Sequence, residues 1–254
     1  MNLLKKVVQA AVFYSVCSNA LADQVHVAVA SNFSGAVKAL VEQFEYETEH
    51  DVVLSFGSSG KILAQIQNGA PFDVFLSADQ AKPAALEVTN YAVPDTRFTY
   101  AIGALALWSS IPEFLDGSPT KLLSGEFNKI ALANPKLAPY GFAATEVLSA
   151  MGVTESTQPH WVMGENISQT YQFVASGNAD LGFVALSQVV SYEKVKKGSS
   201  WVVPQSLYHP IKQDAVLLTR GRYNLAAKDF MVFLKSPAAL ETIHSFGYQT
   251  DSKL

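Results

Sequence analysis

Between residues 23 and 254, apolar positions alternate between strand-like runs and helical spacing. Val25 to Ala30 is a short apolar run of strand length, and Phe33, Val37, Leu40, Val41 and Phe44 then recur with the period of a helix face. Asp51 to Phe56 predicts a second strand, and Ile62 and Ile66 a short helix that Gly69 ends. Asp73 to Ala78 predicts a third strand. Thr99 to Trp108 is apolar for long enough to pass between two lobes as one strand. The alternation continues with a strand at Lys129 to Ala133, a helix near Gly141 to Met151, and a strand at Trp161 to Met163. A helix near Ile167 to Ser176, a strand at Leu181 to Ala185, and a strand at Asp214 to Thr219 after the break at Pro210 complete the middle. Helices near Leu225 to Lys235 and Pro237 to Phe246 close the chain, with Pro237 suited to a first helical turn. This βαβα order predicts an α/β fold of mainly parallel sheets with helices on both faces.

The first 22 residues stand outside this pattern. Lys5 and Lys6 precede an apolar run from Val7 to Cys17, and Ala20-Leu21-Ala22 forms an A-x-A site. That is the layout of a secretory signal peptide, with cleavage expected after Ala22. The run is too short for a transmembrane helix, and no later stretch is long and apolar enough to be one. Cys17, the only cysteine, would leave with the presequence, so residues 23–254 must rely on their apolar core rather than on disulfides. The formal charge of the chain is −4, and residues 1–22 contribute two lysines and no acid. The remainder is therefore more acidic still, which argues against a nucleic-acid partner. It leaves room for a small anion held by backbone N–H groups and hydroxyls.

Four loops carry the candidate chemistry: Ala30-Ser31-Asn32-Phe33, Gly57-Ser58-Ser59-Gly60, Ala138-Pro139-Tyr140-Gly141 and Gly164-Glu165-Asn166-Ile167. Each follows a strand and opens a helix, where backbone N–H groups lack intrahelical acceptors and the helix end is partly positive. Ser31, Asn32, Ser58, Ser59 and Tyr140 add side-chain donors. Any one of these loops reads equally well as an ordinary N-cap. Together they lie at the carboxyl ends of strands, where open α/β sheets bind ligands. Two loops from each of two facing lobes would make a cleft suited to a fully ionised oxyanion.

Other constellations are weaker. Gly57-Ser-Ser-Gly-Lys61 lacks the spacing of a phosphate loop. A secreted serine hydrolase is the reading from another class, but no G-x-S-x-G elbow occurs and the five histidines are scattered. No paired His or Cys spacing suggests a metal site. Asp73 and Asp79 read as turn caps, and Tyr91, Tyr100 and Tyr171 as packing residues.

At the same loops the chain resembles the periplasmic molybdate-binding proteins of ABC importers, the ModA family. The resemblance rests on Val27-Ala-Val-Ala-Ser-Asn-Phe-Ser-Gly-Ala-Val37, Ser55-Phe-Gly-Ser-Ser-Gly-Lys-Ile-Leu63 and Gly69-Ala-Pro-Phe-Asp-Val-Phe-Leu-Ser-Ala-Asp79. Ala133-Asn-Pro-Lys-Leu-Ala-Pro-Tyr-Gly141 and Leu181-Gly-Phe-Val-Ala-Leu-Ser187 follow in order and spacing. It implies a two-lobed periplasmic binding protein of type II. Each lobe would hold a mixed, mainly parallel sheet, with the ligand cleft between the lobes. Lobe 1 would comprise residues 23–103 and 214–254, and lobe 2 residues 104–213. The hinge would lie near Thr99 to Leu105 and Tyr208 to Asp214. Ser31, Asn32, Ser59 (with Ser58 beside it), Tyr140 and the backbone N–H of Ile167 would bind the oxyanion. Some family members have serine where this chain has Asn32, and a ligand tyrosine where it has Ala185. The resemblance further implies a monomer without catalysis or cofactor that carries molybdate, and tungstate, to a membrane permease. A carrier of sulfate or another oxyanion is the alternative within the fold.

Overall fold

The computed structural model describes residues 23–190 and 198–250. The signal peptide expected at residues 1–22, with Cys17 and the cleavage point, lies outside the described residues. Two five-stranded sheets organise the chain. The first contains β1 (Gln24–Ala30), β2 (Asp51–Gly57), β3 (Val74–Leu76) and β4 (Phe98–Gly103). The second contains β5 (Leu105–Ser109), β6 (Ile130–Ala133), β7 (Trp161–Gly164), β8 (Leu181–Ala185) and β9 (Ser199–Val202). The chain then returns to the first sheet as β10 (Ile211–Leu217).

The strand orders are β2-β1-β3-β10-β4 and β7-β6-β8-β5-β9, so the two lobes repeat one plan. In each, three parallel strands come first. An antiparallel strand, β10 or β5, sits fourth, and the fifth strand runs with the first three. The fourth strand of each lobe is the one entered directly from the other lobe. The sheets are thus mixed with four strands of five in one sense, as the alternating pattern predicts.

The long apolar run after Thr99 is divided rather than continuous. Gly103 pairs with Ile211 in the first sheet, while Leu105 pairs with Ala185 in the second. Only Ala104 separates them, and its carbonyl accepts from Leu186 N–H. One strand cannot serve two sheets, so the ladder breaks where the chain crosses. The return crossing precedes Ile211, because Ile211, Lys212 and Gln213 pair with Gly103, Ile102 and Ala101. Those three residues therefore belong with the first sheet, not with residues 104–202. The expectation that lobe 2 runs to residue 213 overshoots, since the break at Pro210 ends the crossing and the strand begins immediately after it.

Register explains where the loops emerge. Ala30 pairs with Gly57 at the carboxyl ends of β1 and β2, and Ala133 pairs with Gly164 at the ends of β6 and β7. Adjacent parallel strands that end level release their loops side by side. Each loop is anchored by packing beneath it. Phe33 is fully buried against Tyr100 and Tyr248, with ring centroids 4.8 and 5.2 Å apart in edge-to-face contacts. The helix Ser34–Thr48 then buries Val37, Leu40, Val41 and Phe44 on the first sheet. In the second lobe, Val147 and Leu148 of the helix Pro139–Ala150 share a core with Ile130, Leu132 and Phe183.

Candidate functional site

The four loops meet. Ser31, Asn32, Ser58, Ser59, Tyr140 and Ile167 line one small pocket with Ala30, Gly57, Ala78, Ala138, Pro139 and Asn166. The pocket is small, on the scale of a single small solute. All five expected ligand residues are at most 4% exposed. No residue of the lining carries a formal charge.

Helix openings supply its backbone donors. Ser58 caps the helix Ser59–Gln67 by accepting from Lys61 N–H, and its carbonyl accepts from Ile62 N–H. Gly60 N–H reaches across to Leu137 O at 2.9 Å. Ser59 N–H is left without an acceptor among the described residues. Asn166 caps the helix Ile167–Ala175 by accepting from Ser168 and Gln169 N–H, and its carbonyl accepts from Thr170 N–H. Ile167 N–H is left over in the same way. At the helix Pro139–Ala150, Pro139 has no N–H, Gly141 and Phe142 both bond Ala138 O, and Tyr140 N–H remains. Three first-turn N–H groups, from residues lining one pocket, therefore have no acceptor among the described residues. A buried donor left unsatisfied costs about 1–3 kcal/mol, which an acceptor-rich solute would relieve.

The hydroxyls point the same way. Ser59 Oγ accepts from Ala78 N–H at 2.9 Å, so its single proton is directed elsewhere. Asn32 lies in the lining beside it. Its side-chain amide donates to Gln213 Oε1 at 2.7 Å and to Tyr248 OH at 3.1 Å. Both amide protons are thereby bonded within the wall of the pocket. Behind it lies a buried polar cluster. Gln213 Nε2 donates to Tyr140 OH at 3.3 Å, Tyr100 OH has Ser77 O at 3.2 Å and Gln213 Oε1 at 3.3 Å as acceptors for its one proton, and Tyr248 OH lies 2.8 Å from Asn32 O and 2.9 Å from Ser187 Oγ. Burial holds the Tyr100 and Tyr140 phenols well above their ordinary range. Burial likewise raises Tyr248 to about 12, against the opposing effect of bonds to Ser187, Asn32 and Tyr140. All three are neutral hydroxyls at physiological pH.

Contacts across the cleft hold the lobes together. Ser168 Oγ donates to Ser31 O at 3.1 Å, Ser187 Oγ donates to Asn32 O at 3.1 Å, and Lys61 Nζ meets Glu165 Oε2 at 3.0 Å. A wider cleft of about 390 Å³ borders the same region and shares Ala78 and Pro139 with the pocket. Its charged residues are largely paired, Asp79 with Lys82 and Glu146 with His209.

Comparison with known proteins follows this geometry. Residues 25–249 match the family described as bacterial extracellular solute-binding protein. The chain is 50% identical over 229 residues to the molybdate-binding protein ModA of Azotobacter vinelandii, covering 90% of this chain and 91% of that one. The chain belongs to the ModA family. It is also 49% identical to the Rhodobacter capsulatus ModA over 232 residues, covering 91% and 90% of the two chains. The solved periplasmic molybdate-binding protein of Azotobacter vinelandii superposes with a TM-score of 0.87 at 41% identity, covering 90% of this chain and all of that one.

Among the described residues, neither a histidine nor a carboxylate lines the pocket beside Ser59. His50 bonds Asp23 N–H and Asp229, His160 bonds Asn128 O, and His244 bonds Thr250, all away from the lining. Asp79 accepts from Lys82 N–H in the turn that leads into the helix Ala81–Val88, as expected of a turn residue. Asp73 departs from expectation: it accepts from His26 N–H and pairs with Arg220. Ala185 is buried outside the pocket lining, and its N–H bonds Gln188. Sequence reasoning missed Gln213 and Tyr248. The one available signal was an uncharged polar residue inside an otherwise buried strand.

Proposed function

We propose that this protein binds molybdate, and tungstate, in the pocket between its lobes and delivers it from the periplasm to the permease of an ABC importer. The observation that carries this reading is an uncharged, buried lining with at least three backbone donors and a serine hydroxyl lacking acceptors. A fully deprotonated tetrahedral dianion accepts at every oxygen and donates nowhere, so it satisfies such a set. Charge-assisted hydrogen bonds contribute roughly 1.5–3 kcal/mol each, enough in sum to offset desolvation of the dianion. The relatives' identity supports molybdate over smaller oxyanions. The protein acts as a monomer, without catalysis and without a cofactor. Uptake proceeds by hinging about the two crossings, near Thr99 to Leu105 and Tyr208 to Asp214, so that donors from both lobes enclose the anion.

Calorimetry on residues 23–254 with molybdate, tungstate, sulfate and phosphate tests this. Molybdate and tungstate should bind with micromolar to nanomolar affinity, about −8 to −12 kcal/mol. Tighter binding of sulfate than of molybdate would make this a sulfate carrier. No heat with any of the four would remove the oxyanion reading.

A further inference from the structure

We propose that Gly60, Leu137, Ser168 and Ser187 form a two-armed latch that joins the lobes directly, without touching the anion, and that this latch sets how long a bound anion stays. The proposal rests on the reading of the pocket as a molybdate site, and it makes these four positioning residues rather than ligands. None of them lines the pocket.

Each arm grips one of the two lobe 1 loops of the site. On the first loop, Ser168 Oγ, from the helix Ile167–Ala175, donates to Ser31 O at 3.1 Å. Ser187 Oγ, from the short helix Leu186–Val189, lies 3.1 Å from Asn32 O and 2.9 Å from Tyr248 OH. Whichever way those two hydroxyl protons point, Ser187 is bonded to lobe 1, because both of its partners belong there. On the second loop, Gly60 N–H donates to Leu137 O at 2.9 Å. The serine links can be cut without orphaning a buried carbonyl. Ser31 O also accepts from Ser34 N–H, and Asn32 O also has Tyr248 OH at 2.8 Å. An alanine at 168 or 187 therefore reads the link across the cleft and little else.

Gly60 adds a steric reading of the same closure. A Cβ there would lie 3.1 Å from Leu137 Cα and 3.1 Å from Leu137 O, and its three nearest atoms all belong to that residue of the opposite lobe. Gly60 stands in the first turn of the helix Ser59–Gln67, where alanine is otherwise favoured over glycine. A methyl group there presses on the closed arrangement and leaves its own lobe undisturbed. The consequence is kinetic. The anion meets the protein while the lobes are apart and leaves only after they part again. Links between the lobes deepen the closed state and not the encounter, so they act on the dissociation rate.

The test uses residues 23–254 carrying no change, Ser168→Ala, Ser187→Ala or Gly60→Ala. Calorimetry, by displacement where binding is tight, gives the molybdate Kd. A rapid-filtration chase of the loaded protein with excess tungstate gives the dissociation rate, and the ratio of the two gives the association rate. Thermal unfolding without anion checks each fold. Each serine variant should release molybdate about fivefold faster, the scale of one neutral hydrogen bond, with association unchanged within about twofold. Gly60→Ala should also speed release, while its unfolding midpoint without anion stays the same or rises. The glycine variant reads the closure independently should a serine variant not fold. Dissociation within about twofold of the unaltered rate in the variants that fold, or a loss of affinity carried by association, overturns the proposal. Failure of the unaltered protein to bind molybdate would remove the functional reading and this inference with it. Intact binding by the unaltered protein beside unchanged dissociation in the variants removes the inference alone.

Discussion

Gly103 and Tyr140 touch where the chain crosses from the first sheet to the second. A Cβ on Gly103 would lie 2.0 Å from the Tyr140 hydroxyl oxygen and 2.7 Å from Gln213 Nε2. The crossing is glycine because a tyrosine from the other lobe and a glutamine from the returning strand occupy the space a side chain would need. Gly103→Ala should therefore displace the Tyr140 hydroxyl from the pocket. Molybdate binding should weaken by about 1–3 kcal/mol, the value of a buried hydrogen bond. Calorimetry on a variant that still melts cooperatively is the check. Unchanged affinity would mean that Tyr140 does not act through its hydroxyl.

Ser59 serves the fold and the site at once. Its oxygen accepts Ala78 N–H while its proton stays available. Ser59→Ala should cost about 1–3 kcal/mol in molybdate affinity, and a similar amount in stability because a buried N–H is left without its acceptor. Calorimetry and urea unfolding read the two separately. A loss in stability alone would place the hydroxyl in the framework and outside the site.

The ion pair between Lys61 and Glu165 spans the cleft, yet both side chains are substantially exposed, at 51% and 38%. Exposed pairs contribute about 0–1 kcal/mol and weaken with salt. Lys61→Ala should change molybdate affinity by less than about 1 kcal/mol, and the difference should shrink as salt is raised. A larger, salt-resistant loss would show the lysine acting on the anion itself.

Buried phenols set the alkaline limit of stability. Tyr248 ionises at about 12 in the fold, against about 10 for an exposed tyrosine. Between those values the unfolded chain has released its proton and the folded chain has not, so unfolding gains as pH rises. Below about pH 10 both states keep the proton and this group adds no pH dependence. The unfolding midpoint should therefore be insensitive to Tyr248 between about pH 7 and 9, and fall above about pH 10 less steeply in Tyr248→Phe than in the unaltered protein. Parallel curves above that point would contradict the assignment.

Much of the architecture was legible along the chain. Strand runs near Val25, Asp51, Lys129 and Leu181 and the helices behind them are written in local periodicity, which side-chain burial imposes directly on sequence. The serine and asparagine loops were visible for the same reason, as polar residues between a strand and a helix. Less legible were β9 and the short helices such as Thr154–Thr157, whose few residues carry too little pattern.

What the sequence by itself determined is the set of elements and the identity of the loops that open helices, since both depend on neighbours a few residues away. Only the tertiary structure decided how their donors are used. The amide of Asn32 is engaged by Gln213 and Tyr248, 181 and 216 residues distant, and Tyr140 meets Gln213 from the opposite lobe. A hydrogen bond's direction depends on what stands opposite it in space, and no local rule of spacing carries that information.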